Sequence, residues 1–211
     1  MKFTRLFVVC ALAALPQAWA QKWEFGGGVG GGFYTSHDVT APGGSAAAKI
    51  QTNLAGSVWL GNSKEHWGGE LRYDYQMGDL QLNQGSTQAV FGARSQAVHY
   101  DLLWHFTGSE TAVRPFVAAG GGVKIFQGTG TEVAYQPLSN FALLTKAQDL
   151  TGLLSVGAGL KMRLATHVAL RLEVHDFLTP FPKQVITPAA NAKVSGWMQD
   201  IVPMAGLAFL F

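Results

Sequence analysis

Charged side chains are scarce in this sequence, and no apolar run is long enough to cross a bilayer as a helix. Asp, Glu, Lys and Arg together make up 13% of the 211 residues, about half the usual share of a soluble globular domain. The apolar run at residues 6–15 has ten residues, whereas a transmembrane helix needs about 20. Charges interrupt the later stretches, which excludes a helical membrane protein.

Cysteine is almost absent as well. Cys10 is the one cysteine of the chain, and a lipoprotein would carry its lipid there. Val9 stands where a lipoprotein signal needs a small residue, so Cys10 is interpreted as an apolar residue of a leader. The chain beyond residue 20 then has no thiol, and neither a disulfide framework nor a cysteine metal site is expected.

The N-terminal residues predict a cleavable signal peptide over residues 1–20. Lys2 and Arg5 precede the apolar run, and a small-x-small cleavage site ends at Ala20. Residues 21–211 are then expected to form a single barrel domain. Without the two leader cations, 13 basic residues stand against 13 acidic ones, so no nucleic-acid partner is expected.

The dominant pattern in the chain is an alternation of period two. Residues 70–77 and 168–175 alternate between apolar side chains and mostly polar or charged ones. Because successive side chains of a strand point to opposite faces, each segment has an apolar face and a polar face. Six further segments alternate less sharply, at about residues 22–35, 48–60, 88–106, 113–127, 152–164 and 199–211. Eight such segments are typical of a transmembrane barrel.

The connections between these segments alternate in length. Three of them are short, around residues 61–67, 107–112 and 165–167. Four are long, around residues 36–47, 78–86, 127–149 and 178–199. This predicts an all-β, eight-stranded antiparallel up-and-down transmembrane barrel with both termini at the short-turn end, which is periplasmic in bacterial barrels.

Aromatic side chains are expected to form a girdle at the two membrane–water interfaces, because their rings are apolar and the Trp and Tyr tips polar. The residues assigned to the girdle are Trp23, Phe25, Trp67 and Trp104 at the short-turn end, and Tyr73 and Tyr75 nearer the long loops.

Glycine is abundant, at 26 residues. In the first segment Gly26, Gly28, Gly30 and Gly32 share one face, and we predict that they relieve crowding in a narrow lumen. A phosphate-binding glycine loop is the alternative, but no strand–turn–helix context follows.

Three stretches of the chain, WEFGGGVGGGFY, RPFVAAGGGVKIF and AGLAFLF, resemble small outer-membrane barrels of the OmpA transmembrane domain and OmpX-like group. The resemblance implies an integral protein of the bacterial outer membrane, in contact with lipid and lipopolysaccharide. It also implies that Leu207, Phe209 and Phe211 are the signal read by the barrel-assembly machinery. The chain departs from the pattern at Ala208 and Leu210, which would face inward and are not polar.

Charges of both signs gather on the face that would line the lumen. The predicted lumen network consists of Glu70, Arg72, Asp74, His99, Asp101, Lys161, Arg163, Arg171, Glu173 and His175. Glu24, Lys49 and Lys124 are expected on the same face. We interpret this set as a plug of ion pairs in a narrow barrel. The alternative is a gate within it, which would make the protein a narrow passive channel for small solutes.

Neither catalysis nor metal binding is expected. A lipid A-modifying acyl hydrolase or transferase needs a nucleophile beside a base. No serine accompanies His99 and Asp101, or His175 and Asp176, on the same face of a strand. The six histidines are scattered, so no metal and no cofactor are predicted.

The long loops suggest a role in interaction. Their aromatic and apolar residues either bind surface partners or pack over the barrel mouth; these residues include Tyr135, Phe141, Phe181, Ile186 and Trp197. A soluble lipocalin-like barrel would instead place apolar residues inside and charges outside. The sequence therefore predicts a monomeric, non-enzymatic outer-membrane barrel with a structural, envelope-integrity or surface-interaction role.

Overall fold

A computed structural model describes residues 22–51, 53–194 and 196–211 of the chain. The predicted signal peptide, residues 1–20, lies outside the described residues. The strands are β1 (Lys22–Tyr34), β2 (His37–Ala41), β3 (Gly44–Ile50), β4 (Asn53–Ser63), β5 (Trp67–Gln84), β6 (Thr87–His105), β7 (Val113–Gly128), β8 (Ala142–Leu144), β9 (Gln148–Ala165), β10 (Val168–Pro180), β11 (Ile186–Pro188) and β12 (Trp197–Leu210). No helix in the described part of the chain is long and apolar enough to cross a membrane.

Eight of the described strands close into a ring, which confirms the predicted eight-stranded barrel. Around the ring the order is β1, β4, β5, β6, β7, β9, β10, β12 and again β1, and every neighbouring pair is antiparallel. Trp23 and Phe211 close the seam at the short-turn end, where each backbone N–H donates to the other's carbonyl at 2.9 Å.

Successive side chains of a strand point alternately into the lumen and to the outer face of the barrel. On β5, Arg72 is 1% exposed in the lumen, whereas its neighbour Leu71 is 52% exposed on the outer face. Exposed apolar side chains cover that outer face on every strand of the ring; they include Val29, Val58, Leu71, Leu102, Val117, Val156, Leu172 and Ile201. The arrangement is the reverse of a soluble barrel, and it contradicts the lipocalin-like alternative.

The long-loop end of the barrel has an apolar core. The β2–β3 hairpin extends the wall, and the β8–β11 pair lies between the last two long loops. Buried members of this core include Leu80, Leu82, Phe91, Phe126, Phe141, Phe181, Ile186 and Met198. The loop residues singled out from the sequence therefore fall into two groups. Phe141, Phe181 and Ile186 are buried, whereas Tyr135 and Trp197 are 79% and 56% exposed.

Two predicted boundaries are wrong. The loop predicted over residues 78–86 is a continuous hairpin, in which β5 and β6 pair up to Gln84 and Thr87 and Gly85 turns with φ +56°. Alternation continues there because the apolar side chains enter the apolar core instead of facing the outside. The segment predicted over residues 48–60 is divided between β3 and β4.

The division of that segment shifts the alternation by one residue. In β3 the even-numbered Ile50 is 6% exposed, whereas in β4 the odd-numbered Trp59 is 2% exposed. The expected lumen position of Lys49 is therefore wrong: it is half-buried on the opposite side of its strand from Ile50. Sequence alternation cannot detect a phase change at a strand break.

Candidate functional site: the polar lumen

The polar side chains of the lumen come from every part of the ring and are almost wholly buried. Nine of the ten residues of the predicted network are at most 7% exposed, namely Glu70, Arg72, Asp74, His99, Asp101, Lys161, Arg171, Glu173 and His175. The tenth, Arg163, lies apart at the short-turn mouth, where it donates to the carbonyl oxygen of Ser109 and stands 4.0 Å from Glu110.

Four of these residues form a charge quartet across the bore: Glu70, Arg72, Arg171 and Glu173. Arg72 donates to Glu70 at 3.0 Å and to Glu173 at 2.6 Å. Arg171 binds Glu70 through two hydrogen bonds of 2.6 and 2.9 Å, and its Nε lies 2.6 Å from Glu173 Oε2. Because β5 and β10 are four strands apart in a ring of eight, the quartet joins opposite walls.

An aromatic ring packs against the quartet. The guanidinium groups of Arg72 and Arg171 lie 5.1 and 4.8 Å from the ring of Trp59, a cation–π arrangement that stabilises a desolvated arginine. Gly26 is the partner of Trp59 across β1 and β4, and a Cβ at Gly26 would lie 2.3 Å from that ring. Trp59 was not predicted as a lumen residue from the sequence. The available signal was Gly26, a glycine that lies opposite this tryptophan on the neighbouring strand.

The quartet continues towards the short-turn end and towards the long loops. Below it, Glu24 accepts hydrogen bonds from Lys161 and from Arg171, the latter at 3.2 Å. Above it, His99 bridges two carboxylates, with Nε2 2.8 Å from Asp74 and Nδ1 3.1 Å from Asp101. All these groups therefore belong to one connected network.

A serine from a neighbouring strand reaches His175 and Asp101, a grouping outside the prediction made from the faces of single strands. Ser155 comes from β9, the strand beside His175, and its Oγ lies 3.4 Å from His175 Nδ1 and 3.3 Å from Asp101. Asp101 also approaches Nδ1, at 3.7 Å, whereas a catalytic triad places serine and aspartate on opposite ring nitrogens. His175 Nε2 faces Arg72 at 3.2 Å. The group therefore lacks the geometry of a triad.

A second polar layer lies nearer the long loops. Lys124 lies 2.5 Å from Asp200, which also accepts a hydrogen bond of 2.8 Å from Gln76. Tyr34 donates to Gln76, and Ser95 donates to it at 3.2 Å. Of this layer only Lys124 was named among the expected lumen charges; Gln76 lies on the polar face of the strongly alternating segment 70–77, and Tyr34, Ser95 and Asp200 lie in weakly alternating segments.

One group of described residues has the composition of a metal site. Glu70, Asp101 and His175 each bring a ligand atom within 4.8 Å of the other two. Both oxygens of Glu70 already accept hydrogen bonds from arginine, so positive charge occupies the place that a metal would take. That no metal binds stays a prediction.

The outer face carries the predicted girdle and terminal residues. At the short-turn end, Phe25, Trp67 and Trp104 are 52%, 61% and 37% exposed, and Trp23 is half-buried. The Trp67 and Trp104 rings meet edge to face at 4.6 Å. Nearer the long loops, Tyr73 is 39% exposed and Tyr75 half-buried. The three terminal residues are exposed on one face: Leu207 at 46%, Phe209 at 55% and Phe211 at 68%.

Comparison with known proteins gives the chain a family and a fold. The profile of the family described as outer membrane protein beta-barrel domain matches residues 6–193. No curated protein sequence matches. Neisserial surface protein A is 10% identical and superposes with a TM-score of 0.54, over 90% of this chain and 97% of its own. The N-terminal β-barrel domain of Pseudomonas aeruginosa OprF is 14% identical over 90% and 97%, with a TM-score of 0.41. The similarity of fold rests on the first of these structures.

Proposed function

The chain belongs to the outer membrane protein beta-barrel domain family and lies in the bacterial outer membrane, and from this premise we propose that it is a structural barrel with a closed lumen. In this proposal it contributes to the integrity of the envelope as a monomer surrounded by lipid and lipopolysaccharide. It has no enzyme activity and no cofactor.

The charge quartet is the observation that carries the proposal. Its arginines and glutamates come from opposite walls and are at most 7% exposed, so they fill the bore at one level. An eight-stranded barrel has room inside for side chains and little else. A solute would have to separate these buried pairs, and leaving one buried charge without its partner costs about 3–5 kcal/mol.

The apolar core supports closure at a second level. It fills the long-loop end of the barrel with Phe126, Phe141 and Phe181, which are at most 5% exposed. A hydrated ion entering from outside meets this core before it reaches the quartet. The alternative of a narrow passive channel requires both levels to open together.

A surface role for the loops is the second candidate. Val133, Tyr135 and Leu143 are 59%, 79% and 43% exposed on the connection between β7 and β9, and exposed aromatic and apolar groups on loops favour contact with a partner. The lipid A-modifying activity has no such support, since Ser155, His175 and Asp101 are at most 1% exposed. That Leu207, Phe209 and Phe211 are read by the assembly machinery stays a prediction.

Deletion of the gene tests the structural role. We expect the deletion strain to become more sensitive to detergents and to large antibiotics, because it has lost a sealed barrel, and the wild-type protein to restore resistance. The exposed loop variant Tyr135→Ser is the matched control and should restore resistance equally. Unchanged resistance in the deletion strain would contradict an envelope role, and failure of Y135S alone would move the function to the loop.

A further inference from the structure

A small cavity lies at the periplasmic mouth, below the polar lumen. Its volume is about 30 Å³, room for about two water molecules. The polar side chains that line it come from the ends of β1, β4, β7 and β9 and from the β6–β7 turn: Glu24, Ser63, Ser109, Thr111, Arg114, Lys161 and Arg163. The polar lining of the cavity therefore comes from five separate segments of the chain.

The charge of this cavity is positive. Arg114 and Lys161 are 6% and 5% exposed, and Arg163 is half-buried. Glu24 is the one carboxylate that lines the cavity, and it already binds both Lys161 and Arg171. Lys161 thus shares Glu24 with the lumen network and Arg163 stands 4.0 Å from Glu110, whereas Arg114 has no ion pair among the described residues.

Arg114, which lines this cavity, has a hydrogen-bond donor without a partner in the described part of the chain. Arg114 donates from Nη2 to the carbonyl oxygen of Glu65 at 2.6 Å, whereas its buried Nε has no hydrogen-bond partner among the described residues. A buried donor without a partner is costly and is usually satisfied by water or a ligand. Ser63 lines the same cavity, as does Thr111, whose hydroxyl group already donates to the carbonyl oxygen of Gly108 at 2.8 Å.

We propose that this cavity receives the oxygen atoms of a phosphate-type oxyanion that binds from the periplasm, at the lower end of the sealed lumen. A planar guanidinium and an ammonium group are a combination that recognises phosphate oxygens. The oxyanion is either free phosphate or the headgroup of a phospholipid. A lipid headgroup can approach the site because Arg163 also lines an open groove at the short-turn end, with Glu110, His167 and Phe211.

Titration of the folded protein with inorganic phosphate, in a detergent without phosphate groups, tests the site. Calorimetry should give saturable binding, and backbone amide NMR shifts should concentrate at Ser109, Thr111 and Arg114. Arg114→Gln should weaken the affinity about tenfold, the loss of one charge-assisted hydrogen bond. Arg94→Gln is the matched control, because Arg94 lies on β6 towards the long loops and bonds Gln127; it should bind as the wild type does.

Two further measurements distinguish free phosphate from a phospholipid headgroup and control for misfolding of the variant. Short-chain phosphatidylglycerol is then added as a competitor, and the same detergent alone is the control. Displacement of phosphate by the lipid assigns the site to lipid headgroups. Phosphate binding that the lipid does not displace assigns the site to free phosphate. If R114Q does not fold, the half-buried Arg163→Gln takes its place. No saturable phosphate binding, or equal binding by R94Q and the mouth variant, would overturn the proposal.

Discussion

Replacing Arg72 by methionine is expected to lower the free energy of unfolding by about 3–5 kcal/mol, the usual cost of leaving buried charges without their partner. Methionine keeps most of the length of the side chain but removes the contacts of 3.0 Å to Glu70 and 2.6 Å to Glu173. Urea unfolding of the barrel in lipid vesicles, followed by tryptophan fluorescence and by gel mobility without heating, measures the change.

The control for this variant is Arg94→Met. Arg94 is half-buried on the outer face and bonds the neutral Gln127 at 2.9 Å, so its loss should change stability by less than about 0.5 kcal/mol. The double variant Arg72→Met with Glu173→Gln should recover part of the loss, because in R72M the two buried glutamates must share Arg171 as their remaining arginine partner. Equal stability of R72M and R94M would contradict the ion-pair account of the lumen.

Replacing Gly120 by alanine is expected to cost about 1–3 kcal/mol, the range for overpacking a filled interior. Gly120 lies on β7 opposite Asp101, and a Cβ there would stand 2.0 Å from the carbonyl oxygen of Tyr100 and 2.3 Å from Asp101 Oδ1. The backbone of β6 must move to admit it, and that movement displaces Asp101 from His99. The same unfolding assay measures the cost.

Gly152→Ala is the matched control for that substitution. Gly152 is also a strand glycine, on the neighbouring β9, but it is exposed and a Cβ there has nothing within 4 Å. Alanine should leave the stability unchanged or raise it by about 0.4–1 kcal/mol, since it reduces the freedom of the unfolded chain. Equal free energies of unfolding for G120A and G152A would contradict the prediction that the lumen glycines relieve crowding.

The barrel could be predicted from the sequence because the alternation that produces each strand is a local property of the chain. Strict alternation around Arg72 and around Arg171 requires a strand with one apolar face, and eight such strands with alternating turn lengths leave few topologies. The sequence also placed both arginines on the inner face. Their meeting across the bore depends on which strands lie opposite each other, and the count of eight strands supplied that information.

Other features could not be predicted, for identifiable physical reasons. Trp59 is an aromatic side chain on the lumen face of β4, where polar residues were expected, and Leu80 and Leu82 are inward because the barrel continues into an apolar core. At both places the usual relation of an apolar outside to a polar inside is reversed. Ser155 joins His175 from the next strand, a contact set by register between β9 and β10, which periodicity within one strand does not contain.

Conductance across a planar lipid bilayer is the most direct test of the closed lumen. The purified wild-type barrel is inserted, and current is recorded at both polarities in salt solution. The charge quartet and the apolar core predict a silent bilayer with no steady openings after insertion, which gel mobility confirms independently. Steady openings of a defined conductance in the wild-type protein would contradict the closed lumen and would establish the narrow passive channel instead.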